Sequence, residues 1–232
     1  MGKKVNRQFF STWKPDMAYV FGFWFADGWM SQPDKDLDIT FTSADLDHLQ
    51  IIQSLMESEH KIYSRVGKCS DLTIGSKQLW QDLYCVGGRP AKSLVAEMPF
   101  VPKKYLRHFM RGYVDGDGSV IWDISQRHRP YLSMVGGIKF LSKVAVLLDE
   151  ETGVGIARVK VRTNRYKAPE LIYTGIKAKT LAMWLYSHAP LALERKAMIA
   201  HEFATWEPSK FGWLSQAVMT PKMQAILAGE IL

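Results

Sequence analysis

Val20-Phe21-Gly22-Phe23-Trp24-Phe25-Ala26-Asp27-Gly28 recurs, ninety positions on, as Met110-Arg111-Gly112-Tyr113-Val114-Asp115-Gly116-Asp117-Gly118. Each copy is an apolar run that carries two small residues four apart and closes on Asp-Gly. Residues four apart share one face of an α-helix. Gly22 with Ala26, and Gly112 with Gly116, therefore give each helix a face on which two backbones can meet. If the helices pack along these faces, Asp27 and Asp117 come together at their C-terminal ends. A carboxylate is disfavoured at the negative end of a helix dipole, and two adjacent carboxylates repel. A single Asp-Gly is ordinarily a tight turn. The same dipeptide after two matched helices points instead to a shared cation.

The repeat extends outward from these runs. Residues 15–27 read as the first helix, capped by Ser11 or Thr12 and ended by Gly28. Strands are expected at 29–31 and 37–42, with Pro33-Asp34-Lys35-Asp36 as the turn between them. In the second, Leu37, Ile39 and Phe41 alternate with Asp38, Thr40 and Thr42, one face buried and one polar. A helix over about 45–57, strands at 61–66 and 72–75, and a helix through Leu79, Leu83 and Tyr84 complete this half. Gly87, Gly88, Pro90, Pro99 and Pro102 mark residues 86–104 as a connector. The order then restarts: helix to Asp117, strands at 119–126 and 131–135, helix at 140–150, strands at 157–163 and 171–175, helix from Lys179. The expected domains are residues 1–100 with the connector, 101–205, and an extension over 206–232 ending in an amphipathic helix at 220–231. The fold class is α+β, two pseudo-symmetric αββαββα halves joined at the helix pair.

Composition narrows the partner. A chain of 232 residues, 47% hydrophobic and 23% charged, buries a substantial core. A formal charge of +7 favours a polyanion. Cys69 and Cys85 have neither metal-ligand nor redox spacing and read as free thiols in a reducing compartment. The longest apolar stretch, residues 17–26, is too short to span a bilayer, and residues 1–11 lack the apolar core of a secretory signal. The expectation is an intracellular, non-secreted protein, in the cytoplasm or in an organelle.

Carboxylates of Asp27 and Asp117, with the carbonyls of Ala26 and Gly116 beside them, suit a hard divalent ion such as Mg²⁺, with Mn²⁺ or Ca²⁺ able to occupy the same sites. The six histidines lack zinc spacing. Lys77 and Lys179 each follow a short strand and open a helix, where an ammonium can reach developing phosphoryl charge. The plainer use of such a lysine is a solvated helix start, and Lys177 competes for the second position. Arg158, Lys160 and Arg162 share one face of the expected strand at 157–163, as Lys61, Tyr63 and Arg65 do in the first half. Ser119, Asp123, Ser125 and Arg127 add a polar face, and Arg129, Arg165 and Lys167 extend it at loops. With Thr40 and Thr42 these residues form candidate surfaces for phosphates and base edges, against the alternative of solvated edge strands. Phe21, Phe23, Trp24 and Phe25 could stack on bases, but their helix makes them core.

Over roughly residues 10–205 the paired runs resemble the single-chain LAGLIDADG homing endonucleases. The stretch Phe109-Met110-Arg111-Gly112-Tyr113 leading into Asp115-Gly116-Asp117-Gly118 is close to the family pattern. The first copy departs from it at Phe25, where the family often has an earlier Asp. The resemblance implies a curved antiparallel sheet in each half lying along the major groove, and Asp27 and Asp117 as metal-binding carboxylates over the minor groove. It further implies cleavage of both strands of a long, imperfectly palindromic duplex by a monomer, leaving short 3′ overhangs, and mobility of an intron. An RNA-binding intron maturase and a non-cleaving DNA-binding regulator are the alternatives on the same scaffold. Retention of both acids, and a tail of 27 residues after residue 205, favour the nuclease.

Overall fold

A computed structural model describes residues 3–64, 67, 69–91, 97–126, 128–161, 168–208 and 219–231. These residues form two compact units, Met1–Gly116 and Asp117–Leu232. The sequence repeat restarts near residue 101, whereas the first packing unit closes one helix later.

In the first unit, α1 (Pro15–Asp27) is buried continuously from Met17 to Phe25. A helix apolar on every side must be surrounded. It begins with Pro15 directly after Lys14, which makes no side-chain cap bond, so Ser11 and Thr12 do not cap it as expected. Proline at the first position supplies a helical φ and removes an amide that would lack a partner. The helix α4 (Lys103–Asp117) runs against it up to Gly116. A Cβ on Gly22 would lie 2.0 Å from the Phe109 carbonyl oxygen, and one on Gly112 would lie 2.0 Å from that of Tyr19. A Cβ on Gly116 would meet that of Ala26 at 2.4 Å. The small residues thus permit backbone-to-backbone contact. Phe109 closes the seam against Phe21 and Phe25, at ring separations of 5.3 and 5.8 Å.

The other strands and helices of this unit follow the expected order. They are β1 (Trp29–Met30), β2 (Asp38–Ser43), α2 (Leu46–Leu55), β3 (Ile62–Ser64), β4 (Ser70–Gly75) and α3 (Lys77–Cys85). The antiparallel sheet has the order β1-β2-β4-β3. Ile39, Phe41, Leu72 and Ile74 point into the core, and Thr40, Thr42, Asp71 and Thr73 occupy the opposite, partly exposed face.

The second unit contains β5 (Gly118–Asp123), a 3₁₀ turn (Ile124–Gln126), β6 (Arg129–Val135), α5 (Ile138–Thr152), β7 (Glu170–Thr174), α6 (Ile176–Tyr186), α7 (Glu194–Glu202), a second 3₁₀ turn (Phe203–Thr205) and α8 (Pro221–Leu227). Its antiparallel sheet has the order β5-β6-β7, and Lys160 adds an isolated bridge to Glu170 on the free edge of β7. The strand expected at 157–163 is therefore not formed over its described part. Val161, which the alternation sets on the face opposite the cations, is 61% exposed. Gly175, with φ 60°, caps α6, which starts three residues before the expected Lys179. The terminal helix occupies only part of the expected 220–231. Thr220 caps it, accepting from the Met223 amide and donating to the Gly153 carbonyl. Among the described residues, no helix is long and apolar enough to cross a membrane.

Candidate functional site

Asp27 and Asp117 each end a helix with no basic residue in its last turn. Neither helix neutralises its own negative end. Asp27 is exposed, and its Oδ2 lies 3.7 Å from where a Cβ on Gly116 would stand. This carboxylate therefore lies against the last turn of α4 within the first unit. Asp117, partly exposed, is the next residue of that helix and opens the second unit.

The turn after Asp27 has a local cause. Gly28 caps α1 with φ −82°, so glycine is not required there for a left-handed conformation. A Cβ would instead meet the Trp24 ring at 2.2 Å. The ring crosses Gly28, and its Nε1 donates to the Trp29 carbonyl over 3.2 Å.

Phe25 and Asp115 occupy equivalent places in the two runs but play opposite parts. Phe25 packs on Phe109 and Tyr113. Asp115 is 2% exposed and accepts a 2.6 Å hydrogen bond from the Tyr19 hydroxyl, which also lies 2.9 Å from Nε2 of buried His48. Nearby, burial and the cations Arg111 and Arg107 lower the His108 pKa to about 4, with Asp16 opposing. His108 is thus neutral near pH 7, and its Nδ1 accepts from Arg111 Nη2 at 3.0 Å. These groups tie α1, α2 and α4 together.

Carboxylate and backbone carbonyl oxygens are hard donors of the kind Mg²⁺ takes. Among the described residues, no three His, Cys, Asp or Glu side chains gather as a metal cage. Mg²⁺ needs none, because it binds one or two carboxylates and keeps most of its water.

Lys77 is exposed at the first position of α3, behind Ser76, whose Oγ accepts from the Leu79 amide. Lys179 is not its counterpart, and this expectation is corrected. It is 7% exposed, and its Nζ donates to the Trp206 carbonyl at 2.7 Å and pairs with Glu207 at 3.6 Å. Lys177, the competing residue, is exposed at the second position of α6. Gly75-Ser76-Lys77 and Gly175-Ile176-Lys177 are spaced one hundred positions apart, whereas the buried leucines Leu79 and Leu83 match Leu181 and Leu185 at a spacing of 102.

Among the described residues, the sheet faces carry carboxylates beside their cations and hydroxyls. On the first, Thr40 Oγ1 lies 3.0 Å from Thr73 Oγ1, and Thr42 donates to Asp71 at 2.8 Å. Exposed Tyr63 is paired in register with Asp71, and exposed Lys61 precedes its strand. On the second, Ser119 faces Ser133 in register. Arg129 Nε reaches Asp123 at 3.3 Å, and Ser125 donates to the same carboxylate at 2.6 Å. The bonds from Ser125 and Arg129 hold the Asp123 pKa below its ordinary value. Tyr131 donates to Glu170 at 3.0 Å, while Arg158 and Lys160 are exposed beside this sheet. Arg65, Arg127, Arg162, Arg165 and Lys167 lie outside the described residues. Sequence reasoning omitted Asp71, which precedes the strand expected at 72–75, and Thr73, which lies within it and alternates with buried Leu72 and Ile74. It also omitted α7.

No family model matches the chain, and no curated protein matches it. Solved structures do match. The LAGLIDADG meganuclease I-AabMI bound to uncleaved DNA is 12% identical, with 94% of this chain and 98% of that one covered at a TM-score of 0.55. The LAGLIDADG homing endonuclease I-SmaMI bound to cleaved DNA is 12% identical over 81% of this chain and 87% of its own, at a TM-score of 0.55. The N-terminal LAGLIDADG domain of DUF199/WhiA is 16% identical over 80% and 86%, at 0.51. The chain has the two-half α+β fold of the LAGLIDADG homing endonucleases.

Proposed function

We propose that this chain is a site-specific endonuclease that hydrolyses both strands of a long, asymmetric DNA duplex with a divalent metal, acting as a monomer. One observation carries the reading: the fold ends α1 on an exposed carboxylate held against α4, whose own last residue is a second carboxylate. Two carboxylates at the negative ends of helices favour a cation beside them, and the DNA-bound structures that share the fold support the nuclease reading.

Asp27 and Asp117, with the carbonyls of Ala26 and Gly116, would hold Mg²⁺, or Mn²⁺ or Ca²⁺ in its place. When bound, such an ion supplies charge neutralisation and a more acidic water. Lys77 and Lys177 present ammonium groups at helix starts, where they can donate to a phosphoryl oxygen that gains charge. The threonines, Tyr63 and the paired Asp123 and Arg129 offer donors and acceptors to base edges. A carboxylate on such a face accepts from the cytosine amino group, so a mixed face reads sequence where a basic one mainly binds phosphate. Intron mobility is the biological outcome proposed.

The lysines separate experimentally. Lys77→Ala and Lys177→Ala should each slow cleavage by on the order of a hundredfold at unchanged melting temperature. Lys179→Met should lower the melting temperature and leave the rate per folded molecule intact. Rate profiles of the three variants check this, and a Lys179 variant that is stable but inactive would restore that residue to the site.

Selecting cleaved molecules from a randomised duplex library with Mg²⁺ tests the function itself. The expected product is one long, asymmetric site cut in both strands. Binding without cleavage at any sequence would favour the regulator, and retention of intron RNA without DNA cutting would favour the maturase.

A further inference from the structure

Asp117 stands where α4 passes directly into β5, between helical Gly116 and Gly118, the first residue of the strand, and glycines restrain the backbone at such a junction less than other residues do. A carboxylate that must meet an ion in one geometry needs that junction held from elsewhere. In the second unit, Nζ of Lys196 donates to the Gly118 carbonyl at 2.7 Å. Lys196 comes from α7, and only 3% of it is exposed. Burying an ammonium is costly, and methionine or leucine would fill similar space without that cost. Its acceptor belongs to the residue directly after Asp117, the last residue of a helix with no basic residue in its final turn.

The stem of Lys196 is itself fixed. Its helix lies on β5 through Trp122, whose Nε1 donates to Glu202 at 2.8 Å and whose ring meets Phe203 edge-on at 4.8 Å. In the first unit, the buried Trp24 indole performs the corresponding task, donating to the Trp29 carbonyl just past Asp27. Each acid is thus followed by a carbonyl clamped by a buried side-chain N–H. One clamp is neutral and comes from the same helix; the other is cationic and comes from a distant one.

We infer that Lys196 is a positioning residue for Asp117, locking the helix-to-strand turn and setting the carboxylate for its ion. The consequence for cleavage rests on the nuclease reading; the clamp does not. Two measurements on the full chain separate them. In metal-free protein, Lys196→Met should raise amide exchange over residues 116–120 by about tenfold, with residues 26–30 unaffected and Lys196→Arg restoring protection. With Mg²⁺ and the selected target, Lys196→Met should change the ratio of the two strand-nicking rates by about tenfold or more at unchanged duplex affinity. Lys196→Gln serves in both arms if methionine prevents folding.

Unchanged exchange at 116–120, or protection lost evenly across β5, β6 and β7, would overturn the inference. So would a lost clamp with both strands cut at their original ratio. A wild-type chain that cuts no duplex would remove the nuclease reading and leave the exchange arm to decide the clamp.

Discussion

Replacing Asp27 or Asp117 with asparagine should abolish double-strand cleavage, a loss on the order of a thousandfold or more, with duplex affinity little changed. Asparagine keeps the shape and one acceptor oxygen but removes the charge that holds a divalent ion. The same change relieves a carboxylate at the negative end of a helix, so stability should hold or rise by about 0.3–1 kcal/mol. That combination distinguishes a functional acid from a structural one, whose loss would lower melting and activity together. The measurement is a cleavage time course beside a melting curve for each variant. Wild-type cutting by either one would remove the assignment.

Gly112→Ala and Gly22→Ala should be the most damaging single-methyl additions in the chain. Each new carbon would lie 2.0 Å from a backbone oxygen of the facing helix, which cannot rotate aside as a side chain would. The helices must separate, and the aromatic seam of Phe21, Phe25 and Phe109 loses contact with them. Overpacking ordinarily costs about 1–3 kcal/mol, and a backbone obstacle places these variants at or above the upper figure. The expected fall in melting temperature is about 6–12 °C for a chain of this size. Gly229→Ala is the control: nothing lies within 4 Å of its added carbon, and only its φ of +76° is unfavourable. A loss there as large as at Gly112 would mean that backbone conformation, not helix contact, governs these sites.

The architecture was legible wherever a feature was written twice. Matched small residues and a terminal Asp-Gly were enough to pair α1 with α4, and period-two alternation in β2 gave its inward and outward faces. Legibility failed where tertiary context decided. Alternating charges at 158–162 predict a strand, yet the described part forms only a bridge at Lys160, and Val161 is exposed. Lys179 looks like a helix-start cation until the Trp206 carbonyl and Glu207 are found around it. The α7 ammonium gave no local signal, because its acceptor lies 78 positions away in the chain.

The buried carboxyl of Asp115 bears on how such a chain can be recombined. It accepts from Tyr19, whose hydroxyl also meets His48, whereas the first run offers the benzyl group of Phe25 at the equivalent position. A homodimer made from two copies of the amino-terminal repeat would therefore leave that phenol and imidazole facing hydrocarbon. Chimaeras that exchange halves between homologues face the same constraint. Their crossover belongs beyond Asp115, with α4 inherited alongside α1, because a join in the Gly- and Pro-bearing connector would part a tyrosine from the acid it was selected with.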